Sequence, residues 1–541
     1  MVHFFVFLTA LFVAMVLVAV FMRLAPRLRF VDVPDGRKIH STAIPRIGGI
    51  GMVLGAVASV LAWIDLSRST EMVLFGIGVI TAFGLWDDRV DLDYRIKFGG
   101  QLLAIAVVVW LGGVVIERLP GLESGEIPRF VSYPLTVFFL LGTTNATNLS
   151  DGLDGLAAGL SLLSLACIAS LADLAEGDEL VFTSLAIIGA TLGFLRYNTH
   201  PAMVFMGDTG SQFLGFSLGV LALMLTEQVN TALTPGLALP ILGLPIIDTL
   251  MVMGQRIAEG RSPFKPDKNH FHHKLLALGF DQYEAVLIIY AIQSLFVASA
   301  YLLRYESYWV IASFYLALSA VIVLFYPLAR MLNWRLHSGM HPRGPSPVTA
   351  FLKRARDRAR LDQTPNQVLS LLITGFLVMG SVAAKELAPD ISYFVVASFA
   401  AWLLFRLLRL PAVKWVERFV IYSCVILVIY SIELSGVMER PLWQAGLKYF
   451  FLILAAAIAV GVRFSERYYF SVTPSDYLLV FILLAAANLP VFGDVNYAKL
   501  AIQSAVVLYG VEFVLRRRSA ASRAISTGAM VAFVIVGIKT L

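Results

Sequence analysis

Cysteine is nearly absent: the chain of 541 residues contains two, Cys167 and Cys424, each inside an apolar run. That excludes a disulfide scaffold and a thiolate metal centre, so any chemistry must come from oxygen and imidazole groups. Charge is scarce too. Asp, Glu, Lys and Arg make up 14% of the residues, where a soluble domain carries roughly 25%. Hydrophobic residues make up 58%, and the mean hydropathy of +0.80 is spread along the whole length. This excludes an ordinary soluble globular protein and points to a polytopic membrane protein, all-α, whose apolar residues face lipid as well as a core. The net charge of +6 would suggest nucleic acid in a soluble protein. Here its partition between loops reports topology, and no nucleic-acid partner is expected.

The apolar run over 4–22 has no basic region before it and no small-residue cleavage site after it, so it reads as a retained helix. Further runs at 49–64, 72–86, 98–116, 135–147, 156–172, 180–195, 212–225, 237–253, 285–303 and 309–328 bring the first block to about eleven helices. Runs near 368–384, 393–405, 419–434, 450–462, 477–489, 500–515 and 525–538 add about seven, or about eighteen in all. Loops alternate in charge. Those at 23–46, 89–97, 256–274, 330–360 and 406–418, with Arg516-Arg517-Arg518, are basic; those at 117–126, 173–179, 385–390 and 490–494 are mixed or acidic. The basic set belongs in the cytoplasm, with the N-terminus outside. The longest polar break divides the chain into a block over 1–330, a basic cytoplasmic linker over 331–367 that suits anionic headgroups, and a second helical block over 368–541.

Carboxylates near bilayer level are costly and need a reason. Asp87-Asp88, followed by Asp91, ends one predicted helix. Adjacent carboxylates repel unless a cation or a shared proton relieves them, and hard oxygen donors suit magnesium; a solvated helix end is the other reading. Asn145, Asn148, Asp151 and Asp154 recur at every third residue, which predicts one polar stripe just before a helix whose N-terminal amides favour anions. Asp208 stands between glycines ahead of another helix, as a cap or as a metal ligand. His270, His272 and His273 lie in a basic loop with Arg261. No fourth zinc ligand is spaced nearby, so a receptor for phosphoryl oxygens fits them better. Together the clusters describe a phosphoryl-transfer site at a membrane surface. A secondary transporter is the rival class, but its site would lie near the midplane within repeated halves.

Lys38-x-His40 with Pro45-Arg46-x-Gly48-Gly49, Asp87-Asp88-x-x-Asp91, Asn148-Leu149-Ser150-Asp151-Gly152-Leu153-Asp154-Gly155, Phe205-Met206-Gly207-Asp208-Thr209-Gly210-Ser211, and Arg261-Ser262-Pro263-Phe264 ending in His270-x-His272-His273 resemble the polyprenyl-phosphate N-acetylhexosamine-1-phosphate transferases. The resemblance covers residues 1–330. It implies transfer of a sugar-1-phosphate from a UDP-N-acetylhexosamine to undecaprenyl phosphate, with release of UMP and with Mg²⁺ or Mn²⁺ as cofactor. Phe271 interrupts the histidine run and Lys274 follows it. That form resembles the branch using UDP-N-acetylglucosamine for O-antigen, teichoic acid or capsule; the alternative is the branch that transfers phospho-MurNAc-pentapeptide in peptidoglycan synthesis.

By the same resemblance Asp208 is the first metal ligand, with Asp88 and Asp151. Asp87 and Asp88 form a catalytic pair beside the lipid phosphate, joined by Asp208 and His272. Asn148, Asp151, Asp154 and Asn198 fall at nucleotide-pocket positions, with Phe205 stacking on uracil. Lys38, His40 and Lys97 hold the lipid phosphate, and Arg261, His270, His272 and His273 grip the diphosphate. The expected setting is the bacterial inner or plasma membrane, amid lipid, with the site facing the cytoplasm and a homodimer as assembly.

Overall fold

The computed structural model describes residues 2–32, 43–119, 127–262, 269–334, 364–383, 389–408, 413–435, 441–464, 497–516 and 520–540. Lys38, His40 and the expected span at 477–489 lie outside them. The chain is an all-α polytopic membrane protein. Among the described residues eleven helices are long and apolar enough to cross a membrane, or twelve if one bent pair counts as a span. The only sheet among the described residues is a two-stranded ribbon in which β1 (Val31–Asp32) pairs antiparallel with β2 (Ile44–Pro45), Val31 opposite Pro45.

The helices fall into two compact units, over 2–331 and 364–540. In the first, α1 (Val2–Leu28), α2 (Gly48–Trp63), α3 (Arg68–Val90), α4 (Tyr94–Ala106), α5 (Arg129–Leu149), α6 (Leu156–Asp173), α7 (Asp178–Asn198) and α8 (Gly207–Met224) follow one another. Next come α9 (Ala238–Leu242), α10 (Leu244–Ala258), the short α11 (Phe271–Ala277), α12 (Gln282–Leu302) and α13 (Tyr308–Met331). Helix α8 is the centre of this unit. All but one of its residues, Asp208, are buried, and α3, α5, α2 and α6 pack around it. A helix apolar on every side is what a surrounded position requires, whereas α13 buries only Ile311, Tyr315, Ile322 and Ala329 and leaves its other faces for lipid.

The run over 237–253 reads as one span in the sequence, but the chain breaks at Gly243 and α10 leaves at 84° to the segment before it. The freed backbone groups are met by Gln293 of α12, which is fully buried. Its Oε1 accepts from Leu244 N at 2.9 Å, and its Nε2 donates to Ile241 O at 3.1 Å and Ser164 Oγ at 3.0 Å. Irregular backbone survives in an apolar interior only with such partners.

The second unit contains α14 (Thr364–Ala383), α15 (Pro389–Leu407), α16 (Val413–Leu434), α17 (Pro441–Phe464), α18 (Tyr497–Leu515) and α19 (Ala520–Thr540). Helices α16 and α18 run antiparallel, tied at both ends. Lys499 Nζ sits 2.9 Å from both oxygens of Glu433, and at the other end Glu512 accepts from Tyr422 OH at 2.6 Å and Arg516 Nε at 3.2 Å.

Candidate active site

The turn between α3 and α4 builds the first wall. Asp91 caps α3 in the left-handed region, at φ 53°, its N–H bonded to Asp87 O. Asp93 caps α4 by accepting from Arg95 N at 2.9 Å. So short a connection folds the first turn of α4 back on the last turn of α3. Lys97 Nζ therefore meets Asp87 Oδ2 at 2.6 Å and Asp208 Oδ2 at 3.3 Å.

The second wall is the N-terminus of α8, where Asp88 is committed. Its Oδ1 accepts from Asp208 N at 2.8 Å, and its Oδ2 accepts from Thr209 N at 3.0 Å and Thr209 Oγ1 at 2.6 Å. A carboxylate on the first amides of a helix satisfies orphan donors and meets the positive end of the dipole. Gly207 makes the approach feasible: its φ is +69°, and a Cβ there would stand 2.4 Å from Asp88 Oδ2.

The third wall comes from the segment between β2 and α2. Phe205 N donates to Pro45 O at 2.8 Å, Gly48 N to Phe205 O at 3.0 Å and Gly49 N to Met206 O at 3.0 Å. This backbone staple delivers Arg46, whose Nη2 lies 3.3 Å from Asp88 Oδ1 and 3.6 Å from Asp208 Oδ1. Burial works against the guanidinium charge, but Asp88, Asp208, Asp32 and Asp87 more than restore it and hold its pKa above the ordinary value. Phe205 itself is half-buried beside the staple.

The expected stripe resolves into separate tasks. Asn148 Nδ2 donates to Ser211 Oγ at 2.7 Å, and its side chain also bonds Asp208. The carboxylate of Asp151 accepts no hydrogen bond from any described residue; burial, then the charges of Asp208, Asp88 and Asp154, push its pKa up to about 7 against the pull of Arg46. Asp154 turns the other way, with His200 Nδ1 at 2.6 Å and Ala202 N at 3.0 Å. Asn198 is used up by backbone, accepting from Gly155 N at 2.9 Å and donating to Val204 O at 2.8 Å. It ties the 151–155 turn to the 199–204 segment and positions both.

The histidines lie on α11 and its cap rather than in an open loop. His270 Nδ1 stands 2.9 Å from Asp248 Oδ2, and Phe271 N donates to Asp248 Oδ1 at 2.7 Å. His272 is buried, and its Nε2 has no hydrogen-bond partner among the described residues. That nitrogen is aimed at Gly152, where a Cβ would meet it at 2.3 Å. Burial first, then His273, lowers the His272 pKa to about 3, so the ring is neutral near pH 7. His273 packs its ring 4.2 Å from that of His272. Arg261 is held elsewhere, its Nε 2.7 Å from Glu259 Oε2 in an exposed ion pair.

The donor sets decide where a divalent cation fits. Asp88, expected among the ligands with Asp208 and Asp151, has its oxygens taken by α8 and Arg46. The carboxylate of Asp87 touches that of Asp208, and the Lys97 ammonium lies against both, which relieves the repulsion between them. Among the described residues no three acidic or imidazole groups converge closely enough to cage an ion. The sulfur-free carboxylates Asp208, Asp87 and Asp151 therefore suit a hard ion that draws further ligands from substrate phosphates, as Mg²⁺ does. Sequence reasoning missed Arg46, Thr209, Asp248 and His200 as individual residues, although the motifs Pro45-Arg46-x-Gly48-Gly49 and Phe205-Met206-Gly207-Asp208-Thr209-Gly210-Ser211 already carried Arg46 and Thr209.

Residues 71–226 match the glycosyl transferase family 4 profile. The chain is 36% identical over 307 residues, 56% of its own length and 85% of the relative's, to a Bacillus subtilis (strain 168) protein named probable undecaprenyl-phosphate N-acetylglucosaminyl 1-phosphate transferase. It is 36% identical over 298 residues (49% of this chain, 75% of the relative) to a Mycobacterium leprae (strain TN) decaprenyl-phosphate N-acetylglucosaminephosphotransferase. With the Pasteurella multocida (strain Pm70) undecaprenyl-phosphate alpha-N-acetylglucosaminyl 1-phosphate transferase it shares 31% over 286 residues, 51% of this chain and 80% of the relative. These likenesses leave the transporter alternative without support in the first unit. With five sequence motifs in order, four of them contributing Arg46, Asp87 and Asp88, Asn148, and Asp208 to a single cluster, this multi-pass membrane protein belongs to the polyprenyl-phosphate N-acetylhexosamine-1-phosphate transferase family.

Proposed function

We propose that the chain transfers N-acetylglucosamine-1-phosphate from UDP-N-acetylglucosamine to undecaprenyl phosphate at the cytoplasmic face of a bacterial plasma or inner membrane, releasing UMP and starting a cell-envelope polysaccharide. The observation that carries the reading is the convergence of Lys97 and Arg46 on Asp87, Asp88 and Asp208. Alternating charges at helix ends form a receptor for two polyanions that must approach each other.

The acceptor is a phosphate monoester with a second pKa near 6, so most of it is a dianion at pH 7 and needs no strong base. Lys97 and Arg46 draw it to the acidic cluster, where its oxygen attacks the sugar-bearing phosphorus as the bond to UMP breaks. Asp88 keeps the N-terminus of α8 aligned, so that Asp208 presents its carboxylate from the first turn. His272, neutral and with Nε2 unbonded, offers one hydrogen bond to the donor's phosphates beside Gly152, while Asp248 fixes the orientation of His270. Asp208, with the carboxylate of Asp87 beside it and Asp151 nearby, would hold a divalent cation together with substrate phosphates, and that ion would supply charge neutralisation at the diphosphate.

The test is incubation of purified protein with undecaprenyl phosphate, Mg²⁺ and a panel of UDP-sugars, scored for UMP and lipid product. UMP release that needs acceptor and divalent cation, and is greatest with UDP-N-acetylglucosamine, is expected. Full activity in excess chelator, or release of UDP, overturns the reading.

A further inference from the structure

One helical turn beneath the charged cluster lies a second polar layer that carries no charge. Gln101 of α4 and Gln212 of α8 are buried, at 3% and 4% exposure, and Asn145 of α5 is half-buried. Gln101 Nε2 donates to Gln212 Oε1 at 3.2 Å and to Asn145 Oδ1 at 3.3 Å. Asn145 Nδ2 donates back to Gln101 Oε1 at 2.8 Å and to Leu141 O at 2.8 Å. Three carboxamides from three helices thus share one network in an apolar interior, where an unpaired amide is costly.

Its register matches the site above. Gln101 follows Lys97 by four residues on α4, Gln212 follows Asp208 by four on α8, and Asn145 precedes Asn148 by three on α5. Residues three or four apart stack on one face of a helix. The amide triangle therefore repeats, one turn deeper, the triangle of Lys97, Asp208 and Asn148. The helices are not held equally. A Cβ at Gly215 would stand 2.8 Å from Thr143 O, and one at Gly219 2.3 Å from Thr143 Oγ1, so α8 and α5 are already locked by close backbone approach. Helix α4 packs mainly on α3, and its ties to α8 are Lys97 to Asp208 above and Gln101 to Gln212 below. The upper tie must open when a phosphate takes Lys97, which leaves the lower one to keep the register.

We propose that Gln101, with Gln212 and Asn145, is a positioning layer that holds Lys97 of α4 in register with Asp208 of α8 while the acceptor phosphate is bound. This rests on the transferase reading above. Amides serve where carboxylates would not, because a negative charge one turn below would compete for the Lys97 ammonium.

The experiment measures KM for each substrate, kcat and thermal unfolding in wild-type protein, Gln101→Met, Gln101→Glu, Gln212→Met and the double Met variant, in nanodiscs with undecaprenyl phosphate and the UDP-sugar. In Gln101→Met the expected result is a rise of about fivefold or more in acceptor KM with donor KM within twofold. Gln101→Glu should lose at least tenfold in kcat/KM for the acceptor, and should melt lower than wild type because it sets a buried carboxyl against two amide oxygens. The double Met variant should be no worse than the poorer single, since one tie is lost in each. Equal movement of both KM values, additive losses in the double variant, or wild-type kinetics in a folded Gln101→Glu protein overturns the proposal. A wild-type protein that makes no lipid product from any UDP-sugar overturns the transferase reading and the positioning role with it.

Discussion

Two carboxylates of the quoted motifs do different work because of what each one touches. Asp208 faces Lys97 and Asp87, whereas Asp91 is the left-handed cap of α3 and meets the cluster through backbone alone. Asp208→Asn is expected to lower kcat by roughly 10²–10³-fold, about 3–4 kcal/mol in barrier terms, and to raise the Mg²⁺ concentration needed. Asp91→Asn should stay within about fivefold, since asparagine also tolerates positive φ. Initial rates over a Mg²⁺ titration check both, and equal losses would place the cation elsewhere. Asp151 gives a pH signature. Its folded pKa is raised from the ordinary 3.8 to about 7, so the stabilisation by its neutral form is complete below about 3.8 and disappears as pH rises through about 7. Metal-free protein should therefore melt at a lower temperature at pH 8 than at pH 6, and saturating Mg²⁺ should shrink the difference by favouring the carboxylate. Melting curves at the two pH values, with and without the ion, decide it. Asp91 also shows what sequence makes legible: a residue past the Asp-Asp pair is readable as peripheral from its spacing. The different partners of Asp87 and Asp88, Lys97 for one and the N-terminus of α8 for the other, were not readable, because consecutive helical positions point about 100° apart and packing chooses what each one meets.

At the scale of elements, the break at Gly243 carries the largest departure from the sequence reading. The apolar run gives no period that distinguishes one long helix from two short ones, although Pro240, Gly243 and Pro245 together mark a break within it. The bend becomes intelligible through Gln293, a polar residue in the apolar α12, whose side chain satisfies Leu244 N and Ile241 O across it. Gln293→Leu leaves both backbone groups unpaired and should destabilise the first unit by about 2–3 kcal/mol. A lower melting temperature in nanodiscs checks this; an unchanged one would mean that the bend is held by α9 and α10 alone. Because α10 carries Asp248, the anchor of His270, the variant should also raise donor KM. The histidine motif was legible as chemistry, yet its geometry depends on α10 leaving at 84°, which no local pattern encodes.

For the whole molecule, the described groups proposed for the reaction all lie in the first unit, and the second carries its own ion pairs, Lys499 with Glu433 and Glu512 with Arg516, and a hydrogen bond from Tyr422 to Glu512. A protein truncated near Arg343 should keep transferase activity within roughly tenfold, about 1.4 kcal/mol in barrier terms. Lipid product from monodisperse truncate in nanodiscs checks it. A folded truncate that binds UDP-sugar normally yet makes no lipid product would give the second unit a part in the catalytic cycle. The sequence by itself determined the all-α membrane architecture, because long apolar runs between charged loops have one low-energy arrangement in a bilayer, with backbone hydrogen bonds closed inside each helix. It also determined the kinds of chemical group available, since oxygen donors, imidazoles and cations are written in the residue types. Only the tertiary structure decided their assignments: Asp88 to the N-terminus of α8, Arg46 to the cluster through the Phe205 staple, His272 to Gly152, and Asn198 to the backbone. Each of these contacts joins residues from different elements, and whether a polar group meets a substrate or a neighbouring amide depends on helix rotation and packing that local spacing does not specify.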